Sequence, residues 1–76
     1  MTNETTSQLS VLDVVALLTD VPAEGLTRGQ VGTVVEILEG DAVLVEFNDD
    51  DGKAYAIVRC PSADLLLLHY EPEAAA

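Results

Sequence analysis

Between residues 30 and 60, stretches rich in valine and isoleucine alternate with two short acidic turns that carry glycine, a spacing that fits antiparallel strands and little else. Residues 30–38 are dense in β-branched side chains, with Gly29 and Gly32 near their start. Glu39-Gly40-Asp41 then reads as a tight hairpin turn in which Gly40 supplies positive φ, where a Cβ would clash. Residues 42–48 alternate cleanly, with Val43, Val45 and Phe47 on one face and Leu44, Glu46 and Asn48 on the other. Asp49-Asp50-Asp51-Gly52 reads as a second turn, with Gly52 in the left-handed position. In residues 53–60, Tyr55, Ile57 and Arg59 lie opposite Ala54, Ala56, Val58 and Cys60.

The flanks extend this pattern to five strands. Residues 11–18 hold Val11, Val14 and Val15 and are too short before the next breakers to favour a helix, so a first strand is expected there. Residues 20–25 carry Pro22 and Gly25 and read as a long loop. Pro61 is expected to stop the fourth strand, and residues 61–64 have the length of one 3₁₀ turn. Residues 65–70 form the last strand. The predicted fold is all-β: a small five-stranded SH3-like barrel with one 3₁₀ turn before the last strand. The barrel is placed at residues 11–71, between a flexible arm at 1–10 and a flexible tail at 72–76. An open meander with a short N-terminal helix packed on it is the rival arrangement.

Charge narrows the range of partners. Fourteen acids face three bases among 76 residues, a formal net charge of −11. The bases, Arg28, Lys53 and Arg59, do not cluster, and phosphate binding needs clusters. Nucleic acid and anionic membrane surfaces are therefore not expected as partners, whereas a field of this sign speeds encounter with a basic protein. Cys60 is the only cysteine, so no intramolecular disulfide can form. With the polar, acid-bearing start at residues 2–10, this reads as a cytoplasmic protein without a secretory leader.

No catalytic set is visible. Cys60 and His69 are the only thiol and the only imidazole, too few ligands for structural zinc and without an evident oxyanion site. If Gly52 stood sixth in a calcium loop, Phe47 and Val58 would occupy ligating positions, so an EF-hand is excluded. Asp49, Asp50 and Asp51 retain only a weak capacity to hold a cation. No cofactor is expected. The partner-binding candidates are Arg28, Tyr55, Arg59 and Tyr70, because guanidinium forks and phenol rings anchor interfaces. Gly29, Gly32, Gly40 and Gly52 are expected to serve the backbone.

Gly29-Gln30-Val31-Gly32-Thr33-Val34-Val35 resembles the glycine–valine repeat of KOW-type SH3-like modules. The basic residues with which such modules bind RNA are not present here. Leu12-Asp13-Val14-Val15-Ala16-Leu17, Gly25-Leu26, Arg28 to Glu36, Val45-Glu46-Phe47 and Leu68-His69-Tyr70 resemble, across residues 11–71, a family of very short bacterial proteins of unknown function. That resemblance implies an SH3-like domain and no particular activity. The expected role is a non-catalytic, acidic protein-interaction module of antitoxin, immunity or assembly-factor type that docks a cationic protein. The alternatives are a small structural subunit or homo-oligomer burying Leu65-Leu66-Leu67-Leu68, and a weak cation-binding regulator.

Overall fold

The computed structural model describes residues 9–48 and 54–68. The chain forms β1 (Val14–Leu17), a 3₁₀ turn at Pro22–Glu24, β2 (Val31–Leu38), β3 (Ala42–Asn48), β4 (Ala54–Pro61), a second 3₁₀ turn at Ser62–Asp64, and β5 (Leu65–Leu67). All five strands join one antiparallel sheet in the order β4-β3-β2-β1-β5. The all-β class, the five strands and the 3₁₀ turn before the last strand are as expected from sequence. In hydrogen bonding the sheet is open, with β4 and β5 at its two ends.

Alternation along the strands sends one face inward. Val15 and Leu17 of β1, Val34 of β2, Val43, Val45 and Phe47 of β3, Val58 and Cys60 of β4 and Leu65 of β5 form a single buried cluster with Leu26. Among the described residues no α-helix lies over this face. The sheet therefore buries its apolar side by wrapping around it, with Leu26 contributed by the loop between β1 and β2.

β2 carries the bend. Val31 to Thr33 pair with β1, Thr33 to Leu38 pair with β3, and a bulge between Val34 and Glu36 re-aims the strand. Gly32 lies on the inner face of that strand, where an added Cβ would come 2.6 Å from a Val45 methyl and 2.8 Å from the Phe47 ring. Its φ is not positive. Close approach of the strands is the reason glycine stands here. Gly29 and Gly40 do adopt positive φ, at 92° and 78°, and Asp41 follows Gly40 into the left-handed region at 60°. Gly52 lies outside the described residues.

Several boundaries depart from the sequence reading: β2 begins at Val31 rather than at Gln30, and β5 ends at Leu67, with Leu68 already outside the strand. β1 begins at Val14 rather than Val11, because Asp13 caps a turn by accepting the Ser10 N–H at 2.7 Å and Leu12 takes φ 79°. The segment read as plain loop at 20–25 contains a 3₁₀ turn, closed by the Gly25 N–H donating to the Pro22 carbonyl at 3.0 Å. Pro61 is the last residue of β4, opposite Ala42, instead of following the strand. Because β4 is an end strand, its missing N–H costs the ladder nothing. The expected flexible arm and tail fall at 1–10 and 72–76, of which only residues 9 and 10 are among those described.

Candidate functional site

The wrapped sheet leaves its outer face to solvent, and the two halves of that face differ. On β2, β3 and β4, Glu36, Leu44 and Arg59 stand opposite one another across the strands, and Thr33, Glu46 and Ile57 form the neighbouring row. Along β4 the outward positions are Tyr55, Ile57 and Arg59. Ile57 is 57% exposed and Tyr55 47%. The structure thus brings Tyr55 and Arg59 onto one strand row with an exposed isoleucine between them. Sequence reasoning did not count Ile57 as a site residue, although its period-two spacing marks it.

Arg28 is placed apart, on the loop that leads into β2. That loop is tightly tied. The Arg28 N–H donates to the Asp20 carboxylate at 2.8 Å, the Thr27 N–H donates to the Gln30 side-chain oxygen at 2.9 Å, and Val21 and Leu26 exchange backbone hydrogen bonds. The Gly29 N–H donates to the Leu17 carbonyl at 2.8 Å. The Tyr55 hydroxyl donates to the Gly25 carbonyl at 3.1 Å and joins the loop to the start of β4. Arg28 is therefore an exposed guanidinium on a preorganised loop, the arrangement that loses least entropy on binding. Tyr70 lies outside the described residues, as do Asp49, Asp50, Asp51 and His69.

The other half of the outer face is formed by β5, β1 and β2. Here Leu66, Ala16 and Val31 stand in one cross-strand row. Val14 and Thr33 stand in the next row, where the Leu68 N–H donates to the Val14 carbonyl. None of these six side chains is charged. Leu66 is 50% exposed and Val31 51%.

Cys60 is buried on β4. Burial pushes its thiol up from the ordinary value of 9.0, and the nearby Asp64 carboxylate adds to the shift. An activated nucleophile needs the opposite displacement. A shallow cavity of about 100 Å³ lies beside Leu9, Ile37, Asp41, Val43 and Ser62, too small for a substrate of ordinary size. Among the described residues no group of three or more His, Cys, Asp or Glu side chains is placed to hold a metal ion. No helix among them is long and apolar enough to cross a membrane.

A family model described as a domain of unknown function (DUF4926) matches residues 11–67, and the chain belongs to that family. No curated protein and no solved structure matches it.

Proposed function

We propose that this DUF4926 member is a non-catalytic, acidic interaction module that docks a cationic protein. The observation that carries the reading is the net charge of −11 on a small domain whose β2–β3–β4 face sets Tyr55, Ile57 and Arg59 beside Glu46 and Glu36. Exposed aromatic and aliphatic groups supply contact area, and the surrounding carboxylates attract a basic partner and fix its orientation. Arg59 and the loop-borne Arg28 then offer forks to a carboxylate on that partner. The partner class is an antitoxin, immunity or assembly-factor target rather than a substrate. A location in the cytoplasm accords with a single reduced cysteine.

The strand order, with a long first connection and a 3₁₀ turn before β5, supports assignment to the SH3-like barrels. In that assignment the β1–β2 loop and the start of β4, held together by Tyr55, lie at one end of the barrel.

The test is binding measured against salt. The immobilised chain is exposed to cell lysate at low and at high ionic strength, beside Tyr55→Ala and Arg59→Glu variants. Stoichiometric retention of a basic protein that leaves at high salt and is weakened in both variants is the expected result. Retention indifferent to salt would remove the electrostatic basis of the reading.

A further inference from the structure

We infer that Leu12 is a preset anchor, an exposed side chain held in a strained turn so that it enters an apolar pocket on a protein partner. The inference rests on the docking reading above only in giving that pocket a basic rim.

Leu12 carries two costs at once. Its φ of 79° lies in the left-handed region, where a Cβ crowds the following carbonyl and where glycine, asparagine or aspartate are the usual occupants. Its side chain is also 73% exposed, more than any other large hydrophobic residue among those described. Asp41 shares the left-handed backbone, but it follows Gly40 in a hairpin turn and is of a type that tolerates it. Leu18 is an exposed leucine without positive φ. Only Leu12 combines strain with exposure, so burial within the fold does not offset its backbone.

The turn is fixed from both ends. Leu9 packs against the core before it, and Val15 is buried in β1 after it. Between them the Ser10 N–H donates to the Asp13 carboxylate at 2.7 Å, and the Asp13 N–H donates to the Ser10 carbonyl at 3.0 Å. The Leu12 N–H donates to the Val34 carbonyl at 2.7 Å, and the Val34 N–H donates to the Asp13 carbonyl at 2.9 Å. Strain of this kind persists only where the surroundings over-determine it, and it gathers at binding and switch sites. The same bonds seat the turn on the bulge of β2, where alternation fails and Val35, Glu36 and Ile37 are all exposed. Two departures from regular backbone thus meet at one place. Both put apolar side chains into solvent, Val11 and Leu12 from the turn and Val35 from the bulge.

A projecting leucine with smaller apolar neighbours fits a concave apolar pocket, and its preset backbone leaves little entropy to lose on entry. Asp13 directly follows Leu12 and Glu36 directly follows Val35, so a basic rim complements the anchor. Glu36 also belongs to the row with Leu44 and Arg59, which joins the anchor to the docking face. The net charge of −11 opposes both a second copy of the chain and an anionic membrane surface as the occupant.

Removing the leucine should stabilise the fold and weaken binding, a pair of signs that a structural role does not combine. Leu12→Gly and Leu12→Asn relieve the backbone, and their thermal midpoints should rise by about 4 °C. A photo-crosslinking amino acid installed at position 12 of the full chain, in lysate of the cells that make it, should give a covalent adduct with one protein. The same group at position 18 should give none. Excess unmodified chain should suppress the adduct, and Leu12→Asn should need about tenfold more to do so. Midpoints that rise in neither variant overturn the inference. So does the absence of a position-12 adduct, an equal adduct from position 18, or competition by Leu12→Asn as effective as that of the unmodified chain. An adduct whose protein is not basic leaves the anchor standing and removes the cationic docking reading. Salt-sensitive retention of a basic protein without a position-12 adduct does the reverse.

Discussion

The two halves of the sheet share β2 and a single core, yet they are built differently. The β2–β3–β4 half consists of strands of eight, seven and eight residues, whereas β1 and β5 contribute four and three. Long ladders with mixed side chains outside form a meander held largely by its own hydrogen bonds and cross-strand pairs. The short half has few ladder bonds and depends on Val15, Leu17 and Leu65 reaching the common core. The same division recurs on the outer face, with Glu36, Glu46 and Arg59 on the long half and only uncharged groups on the short one. A sheet this small thus carries a charged and an uncharged outer face side by side, meeting at Thr33, which pairs with Val14 on one side and with Glu46 on the other.

The strongest way to break the comparison is to remove what both halves share. Gly32→Val places a side chain where even a Cβ would be 2.6 Å from Val45 and 2.8 Å from the Phe47 ring, and neither fully buried neighbour can swing aside. Overpacking of this kind costs about 3 kcal/mol or more. Both halves should melt together, by urea or heat, with loss of a large part of the stability. If the variant lost β1 and β5 protection alone, the core would be two cores.

Leu65→Ala tests the short half separately. Leu65 is nearly buried in a three-residue strand and packs into the common core opposite Leu17. Truncation should cost about 2–3 kcal/mol in urea unfolding. Amide exchange should rise in β1 and β5 well before it rises in β3 and β4. Uniform loosening across all five strands would show that the halves are not separable.

The long half was legible in the sequence almost residue by residue, whereas in the short half the two strands and the 3₁₀ turn were legible and the start of β1 and the cross-strand rows were not. Val43, Val45 and Phe47 alternate with Leu44, Glu46 and Asn48, so the period of two with Glu46 and Asn48 outside marks the buried face, and Tyr55, Ile57 and Arg59 follow outward by the same period. Glu39-Gly40-Asp41 was readable because only a residue such as glycine tolerates the backbone that closes so short a turn. Val11 looked like the start of a strand, but the chain turns at Leu12 through a φ that nothing in a leucine announces. The row Leu66–Ala16–Val31 was not readable at all. Its members lie far apart in the sequence, and only the pairing of β1 with both β2 and β5 gathers them. Gly32 was expected to serve the backbone, but the reason, the close approach of Val45 and Phe47 across the core, is visible only in the structure.

pH gives a smaller and cleaner probe of the long half. The buried Cys60 thiol is held above 9.0 by desolvation and then by Asp64, so the folded state resists forming the thiolate. The unfolded chain loses that proton first as pH rises. The contribution is fully present below the unfolded value and is lost as pH climbs from about 9 toward the folded value. Urea midpoints should fall more steeply between about pH 8 and about pH 10 for this chain than for a Cys60→Val variant, which has no thiol to ionise. Equal slopes would mean that the thiol ionises as freely in the fold as outside it.

The smallest effect concerns the one described hydrogen bond that ties β4 directly to the β1–β2 loop. Tyr55→Phe deletes the hydroxyl that donates to the Gly25 carbonyl at 3.1 Å and leaves the ring in place. Both groups are exposed, so water replaces the lost partner, and the net cost should be about 0.5 kcal/mol. The loop retains its own ties, since Val21 still pairs with Leu26 and Asp20 still accepts from the Arg28 N–H. Global stability should therefore barely move, while amide exchange at Gly25 quickens by a few-fold at most. A loss beyond about 1.5 kcal/mol would mean that the loop is held chiefly from β4. In that case Arg28 and the Tyr55–Arg59 row would be positioned by a single contact, and the long half's binding surface would extend across the loop as one unit.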